Sequence, residues 1–257
     1  MRAGPLLWTA AAACVVLRVA ALRSDPYPGL DWSSGLLTDE GFYIHNARNQ
    51  ALFGHARLDE FNNMLLSPVL HGVQAAVFSV LGVGAAQARL VSVGASLLAL
   101  VLLWDALRRA FDARVAWTGA LLLGLDHGNL LFSRMALLDP PAALGAVAAF
   151  WCLIRGCGTA GARPRDGARG APGSGLPSDT AGGLDARWLF LAGALAALTA
   201  VNRALAAYVL VALGAGLAAA RAPGRSHAAF AAGAAAVIAC WAVLWLAPNL
   251  DEMAAMT

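Results

Sequence analysis

The sequence predicts an all-α integral membrane protein, with about seven transmembrane helices plus membrane-parallel helices in a large first outer loop. Three observations predict it. The first is composition: 60 % of the 257 residues are hydrophobic and only 13 % are charged, whereas a soluble domain is roughly half apolar and a quarter charged. The second is that the apolar residues gather in runs near the length of a bilayer crossing. The third is that arginines collect on alternate connections between those runs. Burial in a soluble core cannot absorb such an excess of apolar residues, so lipid must be part of the solvent.

The spans read in order as Leu6 to Leu22, Leu90 to Leu107, Ala116 to Phe132, Pro141 to Ile154, Trp188 to Val201, Leu205 to Ala220 and Ala228 to Leu246. The first also reads as a cleaved signal peptide, with Arg2 as its basic leader and Val19-Ala20-Ala21 as a small-residue cleavage site. Arg18 interrupts that run near its far end, which suits a retained helix whose arginine snorkels to the interface. Residues 23–65 are polar and turn-rich, and they predict a loop with short helices. Ser67 to Leu81 is apolar but below the roughly 20 residues of a span. It carries Pro68, His71 and Gln74, and it reads as a helix lying along the membrane surface.

That reading fixes the parity of the crossings. It puts eleven of the eighteen arginines on one side: Arg2, the Arg108–Arg114 group, five between 155 and 187, and Arg221 with Arg225. The positive-inside rule makes that side cytoplasmic. If residues 67–81 crossed instead, the Arg108–Arg114 group and the 155–187 linker would move outside and the bias would largely collapse. The linker is rich in Gly, Pro and Arg and poor in apolar residues, so it predicts a disordered cytoplasmic segment. The chain is one unit, 1–257, with an outer loop over 23–87.

All 18 basic residues are arginine, which points to codon bias more than to arginine-specific chemistry. Cys14, Cys152, Cys157 and Cys240 have no metal-ligand spacing and predict free thiols. There is no P-loop, no GxGxxG after a strand and no HExxH motif, and nothing points to nucleic acid.

Nine of the fifteen acids fall on the outer side: Asp25, Asp31, Asp39, Glu40, Asp59, Glu60, Asp139, Asp251 and Glu252. Asp39 and Glu40 are the densest pair. Thr38 before them is a good N-cap, and acids in a first turn suit the helix dipole. The same carboxylates at a bilayer surface can supply a general base, with Tyr43 four residues on to orient Asp39. Asp139 either caps the fourth span or holds a metal or an acceptor, and Arg134 nearby snorkels or supports it. Arg203 lies in an apolar stretch; it pairs with an outer-face acid or binds a lipid-linked phosphate. Asp126, His127 and Asn129 read as helix-end groups facing the bundle.

Three segments carry a family resemblance: LTDEGFYIHNARNQALFG, QARLVSVGASLLALVLLWDALRRAFD and LLFSRMALLDPPAAL, with weaker support from GALAALTAVNRALAAYVL. Their order and spacing resemble the GT-C membrane glycosyltransferases, nearest the protein O-mannosyltransferase and aminoarabinose-transferase-like branch. The resemblance implies inverting transfer of a sugar from a polyprenyl-phosphate donor to an acceptor hydroxyl of a protein, lipid or glycan. It implies Asp39 as catalytic acid residue with Glu40 beside it, Asp139 as acceptor or metal contact, and Arg203 at the donor phosphate, where Arg89 is a second candidate. A divalent metal cation stays open as a cofactor. The setting it implies is a bacterial plasma membrane, with the catalytic loop facing outward. Family members usually run longer, so the C-terminal part of the usual family length is expected to be missing. The rival reading is a non-catalytic membrane protein: an inactive GT-C-like paralogue, a lipid-carrier-binding scaffold or a transporter subunit.

Overall fold

The structure, a computed structural model, describes residues 4–20, 22–23, 34–57, 62–157 and 184–255, with the side chains of 34–39 outside that set. Asp25, Asp31, Asp59, Glu60 and most of the 155–187 linker also lie outside it. The described residues are helical, with no strand among them.

Helices stand at all seven predicted spans. They are α1 (Pro5–Val19), α4 (Ala85–Ala110), α5 (Ala113–Leu125) continued by α6 (His127–Ser133), α7 (Asp139–Gly156), α8 (Ala186–Asn202), α9 (Tyr208–Ala219) and α10 (Gly224–Trp241). Between the first two stand α2 (Ser34–Phe53) and α3 (Pro68–Leu81), and α11 (Leu250–Ala255) ends the described chain. Two helical runs, α4 and the continuous stretch Gly224–Ala254, are long and apolar enough to cross a bilayer, each with a mean hydropathy of 2.1. The other apolar helices are shorter than the roughly 20 residues that a perpendicular crossing takes. Large apolar side chains turn outward along the bundle, among them Val101, Leu122, Val211 and Leu244. Such a surface suits lipid rather than water.

The helices lie side by side in the order α5, α4, α7, α8, α10, with α1 against α5. Small residues set their spacing. A Cβ on Gly193 of α8 would run into the Phe230 carbonyl of α10, and one on Gly233 would run into the Phe190 carbonyl. The two backbones touch at that reciprocal contact, as membrane helices do where glycine permits it. Gly233→Ala is therefore expected to destabilise the chain by about 1–3 kcal/mol, because a carbonyl cannot swing aside as a side chain can. Thermal unfolding in detergent measures it, and an unchanged midpoint would contradict the contact.

Polar contacts separate the bundle into two ends. At one end Arg155 lies between the rings of Trp151 and Trp188, 4.7 and 4.5 Å from their centroids. There Trp151 donates to Asp105 at 2.8 Å and Asp105 pairs with Arg109 at 2.7 Å. At the other end the segment between α1 and α4 meets the ends of α8 and α10. Asn202 accepts from the Leu70 N–H at 3.1 Å, and the Trp245 indole donates to the Leu65 carbonyl at 3.0 Å. Arg57 pairs with Glu252 at 2.8 Å. Both ends of α3 stay at this second end: its first turn meets Asn202, and the Leu81 carbonyl accepts from Gln87 beside the start of α4. A helix so anchored lies across the bundle, not through it.

Three sequence expectations change. Residues 34–53 form one 20-residue helix, not short ones. The turn-forming Pro26, Pro28 and Gly29 all precede it, and no proline interrupts it. The third span breaks at Asp126, whose carboxylate caps α6 by accepting the Asn129 N–H at 2.8 Å. Arg18 does not snorkel: it is fully buried. Its guanidinium donates to Ser96 Oγ (3.0 Å), to the Cys14 and Gly124 carbonyls (3.0 and 2.8 Å) and to Asn129 Oδ1 (2.7 Å). The break at Asp126 is what supplies two of these acceptors. It ends the α5 ladder, leaving the Gly124 carbonyl without its partner one turn on, and it turns Asn129 toward α1. Of the three helix-end groups expected to face the bundle only Asn129 does; Asp126 and His127 are exposed, Asp126 because it caps α6. The four cysteines are free thiols.

Candidate functional site

The second end of the bundle gathers four of the seven predicted site residues into two ion pairs. The first is Glu40 with Arg89. Arg89 Nε and Nη2 reach the two Glu40 oxygens at 2.9 and 2.8 Å, a two-pronged contact between side chains exposed by 9 % or less. Glu40 Oε1 also accepts the Ala136 N–H at 2.6 Å, and Arg89 Nη1 donates to the Leu22 carbonyl at 3.1 Å. Four segments thus converge: the end of α1, α2, the start of α4 and the turn between α6 and α7.

That turn explains the arrangement. Met135, Ala136, Leu137 and Leu138 are all buried. A buried non-helical turn leaves backbone groups that need partners. Glu40 takes the Ala136 N–H, and Ser92 of α4 donates to the Leu137 carbonyl at 3.4 Å. Arg134, just before the turn, donates to the Ala20 carbonyl at 2.7 Å, so it ties α6 to the end of α1.

The second pair is Asp139 with Arg203, 2.8 Å apart and partly open to the surface. Asp139 stands in the first turn of α7, where the helix dipole favours an acid, but it makes no cap: Leu138 holds that position without a side-chain bond. Pro140 and Pro141 follow, suited to a helix start. Arg203 ends α8 in extended backbone, just past Asn202. Its guanidinium carries five N–H donors and meets Asp139 through Nη1, so donors remain for another acceptor.

Asp39 lies on α2, with its side chain outside the described residues. The helix begins at Ser34, so Thr38 is no cap and Asp39 and Glu40 stand beyond the first turn. The dipole account of those two acids therefore falls away. Tyr43 is half-buried, one turn on from Asp39. The described carboxylates form no cation-binding set: Glu40 faces Arg89, Asp139 faces Arg203, and no cluster of three or more His, Cys, Asp or Glu occurs among the described residues.

Beside the Asp139–Arg203 pair opens an apolar groove of about 510 Å³ between α3, α4, α7 and α8. Val73, Leu98, Leu144 and Leu198 are among its walls, and Asn202 and Pro141 bring it up to the ion pair. The geometry offers a slot for a hydrocarbon chain with a cation at its end. Sequence reasoning missed Ser92 and the Ala136 N–H. A serine inside an apolar run, three residues after a buried arginine, was the available signal.

Residues 66–163 match the family model described as dolichyl-phosphate-mannose-protein mannosyltransferase. No curated protein and no solved structure matches the chain. The matched segment contains α3, Arg89, the buried turn and Asp139, and with the helical, lipid-suited fold it supports a GT-C superfamily membrane glycosyltransferase.

Proposed function

We propose that the chain moves a sugar from a polyprenyl-phosphate donor to an acceptor hydroxyl at the outer face of the membrane, with inversion at the anomeric carbon. The observation that carries this reading is the apolar groove whose lining reaches Asn202 and Pro141, next in sequence to Arg203 and two residues from Asp139, which pair with each other. The polyprenyl chain occupies the groove, and Arg203 meets the phosphate, whose oxygens match a guanidinium fork. Asp39 accepts the proton of the acceptor hydroxyl as its oxygen bonds to the anomeric carbon. The bond from that carbon to the phosphate oxygen breaks, and polyprenyl phosphate leaves with its new charge beside Arg203. The donor arrives activated, so no nucleotide site is needed. Glu40 and Arg89 hold α2 against the turn that leads into Asp139, and Arg134 steadies the same turn.

The purified chain in lipid nanodiscs, given labelled polyprenyl-phosphate hexose and an acceptor hydroxyl, is expected to release polyprenyl phosphate and label the acceptor. Arg203→Gln is expected to raise the donor KM roughly tenfold to a hundredfold, the loss of a charged hydrogen bond to phosphate. Asp139→Asn keeps Arg203 and should raise it far less. Equal effects of the two variants would make the pair structural only. Donor binding without any release would support a lipid-carrier-binding protein instead.

A further inference from the structure

A second groove lies at the opposite end of the bundle from the sugar-transfer site, and nothing in the proposed reaction uses it. It runs between α1, α4 and α5, has a volume of about 340 Å³, and is walled by apolar side chains including Trp8, Ala11, Leu97, Val101, Trp104 and Trp117. Its three indoles form a chain of edge-on contacts: Trp8 to Trp117 at 5.4 Å and Trp117 to Trp104 at 5.8 Å between centroids. At the Cys14 end of the groove α1 and α5 approach so closely that a Cβ on Gly124 would sit 2.9 Å from the Cys14 sulfur. Just beyond lies the polar knot around Arg18. From Leu97 to Trp104 the α4 wall is roughly 10 Å long, so the groove takes part of one acyl chain.

The end of the groove at Trp104 and Trp117 lies by a turn with three arginines, Arg108, Arg109 and Arg114, and two acids, Asp105 and Asp112, the latter capping α5. The Arg108 guanidinium stands 5.2 Å from the centroid of the Trp104 ring, and Arg114 opens α5 one turn before Trp117. Both are exposed, and neither is paired with an acid among the described residues. Arg109, between them in sequence, differs: it is held by Asp105 at 2.7 Å. An apolar slot lined by three tryptophans, with two exposed arginines that form no ion pair among the described residues near one end, matches one kind of occupant. We propose that this groove is a binding site for an anionic phospholipid, with one acyl chain between Trp8, Trp104 and Trp117 and the headgroup phosphate at Arg108 and Arg114. Charge complementarity chooses the anionic lipid over a zwitterionic one, because each arginine near an anionic headgroup favours binding about fivefold. The proposal is independent of sugar transfer.

The full chain is reconstituted in phosphatidylcholine vesicles that contain a minor fraction of lipid brominated on its acyl chains, either phosphatidylglycerol or phosphatidylcholine. Bromine quenches nearby indoles. Brominated phosphatidylglycerol is expected to quench at a mole fraction several-fold lower than brominated phosphatidylcholine. The double variant R108Q/R114Q is expected to abolish that preference, and raising the salt to about 1 M is expected to weaken it in the wild type. Ala11→Leu, which fills the slot and keeps both arginines, should reduce quenching by either lipid. Equal quenching by the two lipids in the wild type would overturn the proposal, as would a preference that survives R108Q/R114Q.

Discussion

Arg89→Ala is expected to cost about 3–5 kcal/mol of stability, the penalty for leaving a buried carboxylate without its counter-ion. Glu40 is 7 % exposed and Arg89 5 %. Once the guanidinium is gone, water can reach Glu40 only by opening the seam between α2, α4 and the buried turn. The Leu22 carbonyl loses its donor as well. For a chain of this size the loss corresponds to a fall of about 10 °C in the unfolding midpoint, read from tryptophan fluorescence in detergent. Arg89→Lys keeps the charge but not the fork, so it should fall between the two. A paired change, Glu40→Leu with Arg89→Met, removes both charges and should recover most of the stability, since an apolar pair of similar volume commonly replaces a buried ion pair without loss. It does not recover all, because the Ala136 N–H is then buried without an acceptor, at about 1–3 kcal/mol. A midpoint for Arg89→Ala equal to the wild type would refute the buried clamp.

The fold was legible in the sequence where hydropathy alone decides. Each apolar run is a helix, and Pro68–Leu81 is a separate helix anchored at both ends to one end of the bundle. Length was enough for that, since it follows from the cost of placing polar groups in hydrocarbon. The fold was not legible where a polar residue inside a run had two possible destinations. Arg18 could reach the interface or the bundle, and the choice belongs to Ser96, Gly124 and Asn129, about 80 to 110 residues away along the chain. Asp126 gave a local signal, an N-capping residue within an apolar run, and capping chemistry outweighed the hydropathy that favoured one continuous span. The candidate residues could be picked out by type. Their pairing could not: Arg89, expected at the donor phosphate, is engaged by Glu40, and Asp139 and Arg203 meet each other. Pairings across such separations depend on how helices stack, which one sequence does not encode in any local pattern.

Asp39→Asn is expected to lower kcat for sugar transfer by about a hundredfold to ten-thousandfold, the range that loss of a general base produces. The donor KM should change little, because the amide keeps the size of the carboxylate and the proposed phosphate contact lies at Arg203. Residues 39 and 40 stand about 100° apart around the axis of α2, so they occupy different faces of one helix. Glu40 is fixed by three hydrogen bonds to Arg89 and Ala136, and the helix that carries Asp39 is fixed with it. This division of labour gives the experiment its contrast. Asp39→Asn should lower turnover by that factor at an unchanged unfolding midpoint. Glu40→Gln should lower the midpoint first, since it weakens the bond to Arg89. Asp39→Glu restores the charge but displaces it by one methylene, and misplacement of about 1 Å can cost a hundredfold, so it should regain only part of the rate. Full turnover by Asp39→Asn would take the base away from Asp39. Loss of turnover only in proportion to loss of folded protein would assign Asp39, like Glu40, to holding α2 in place.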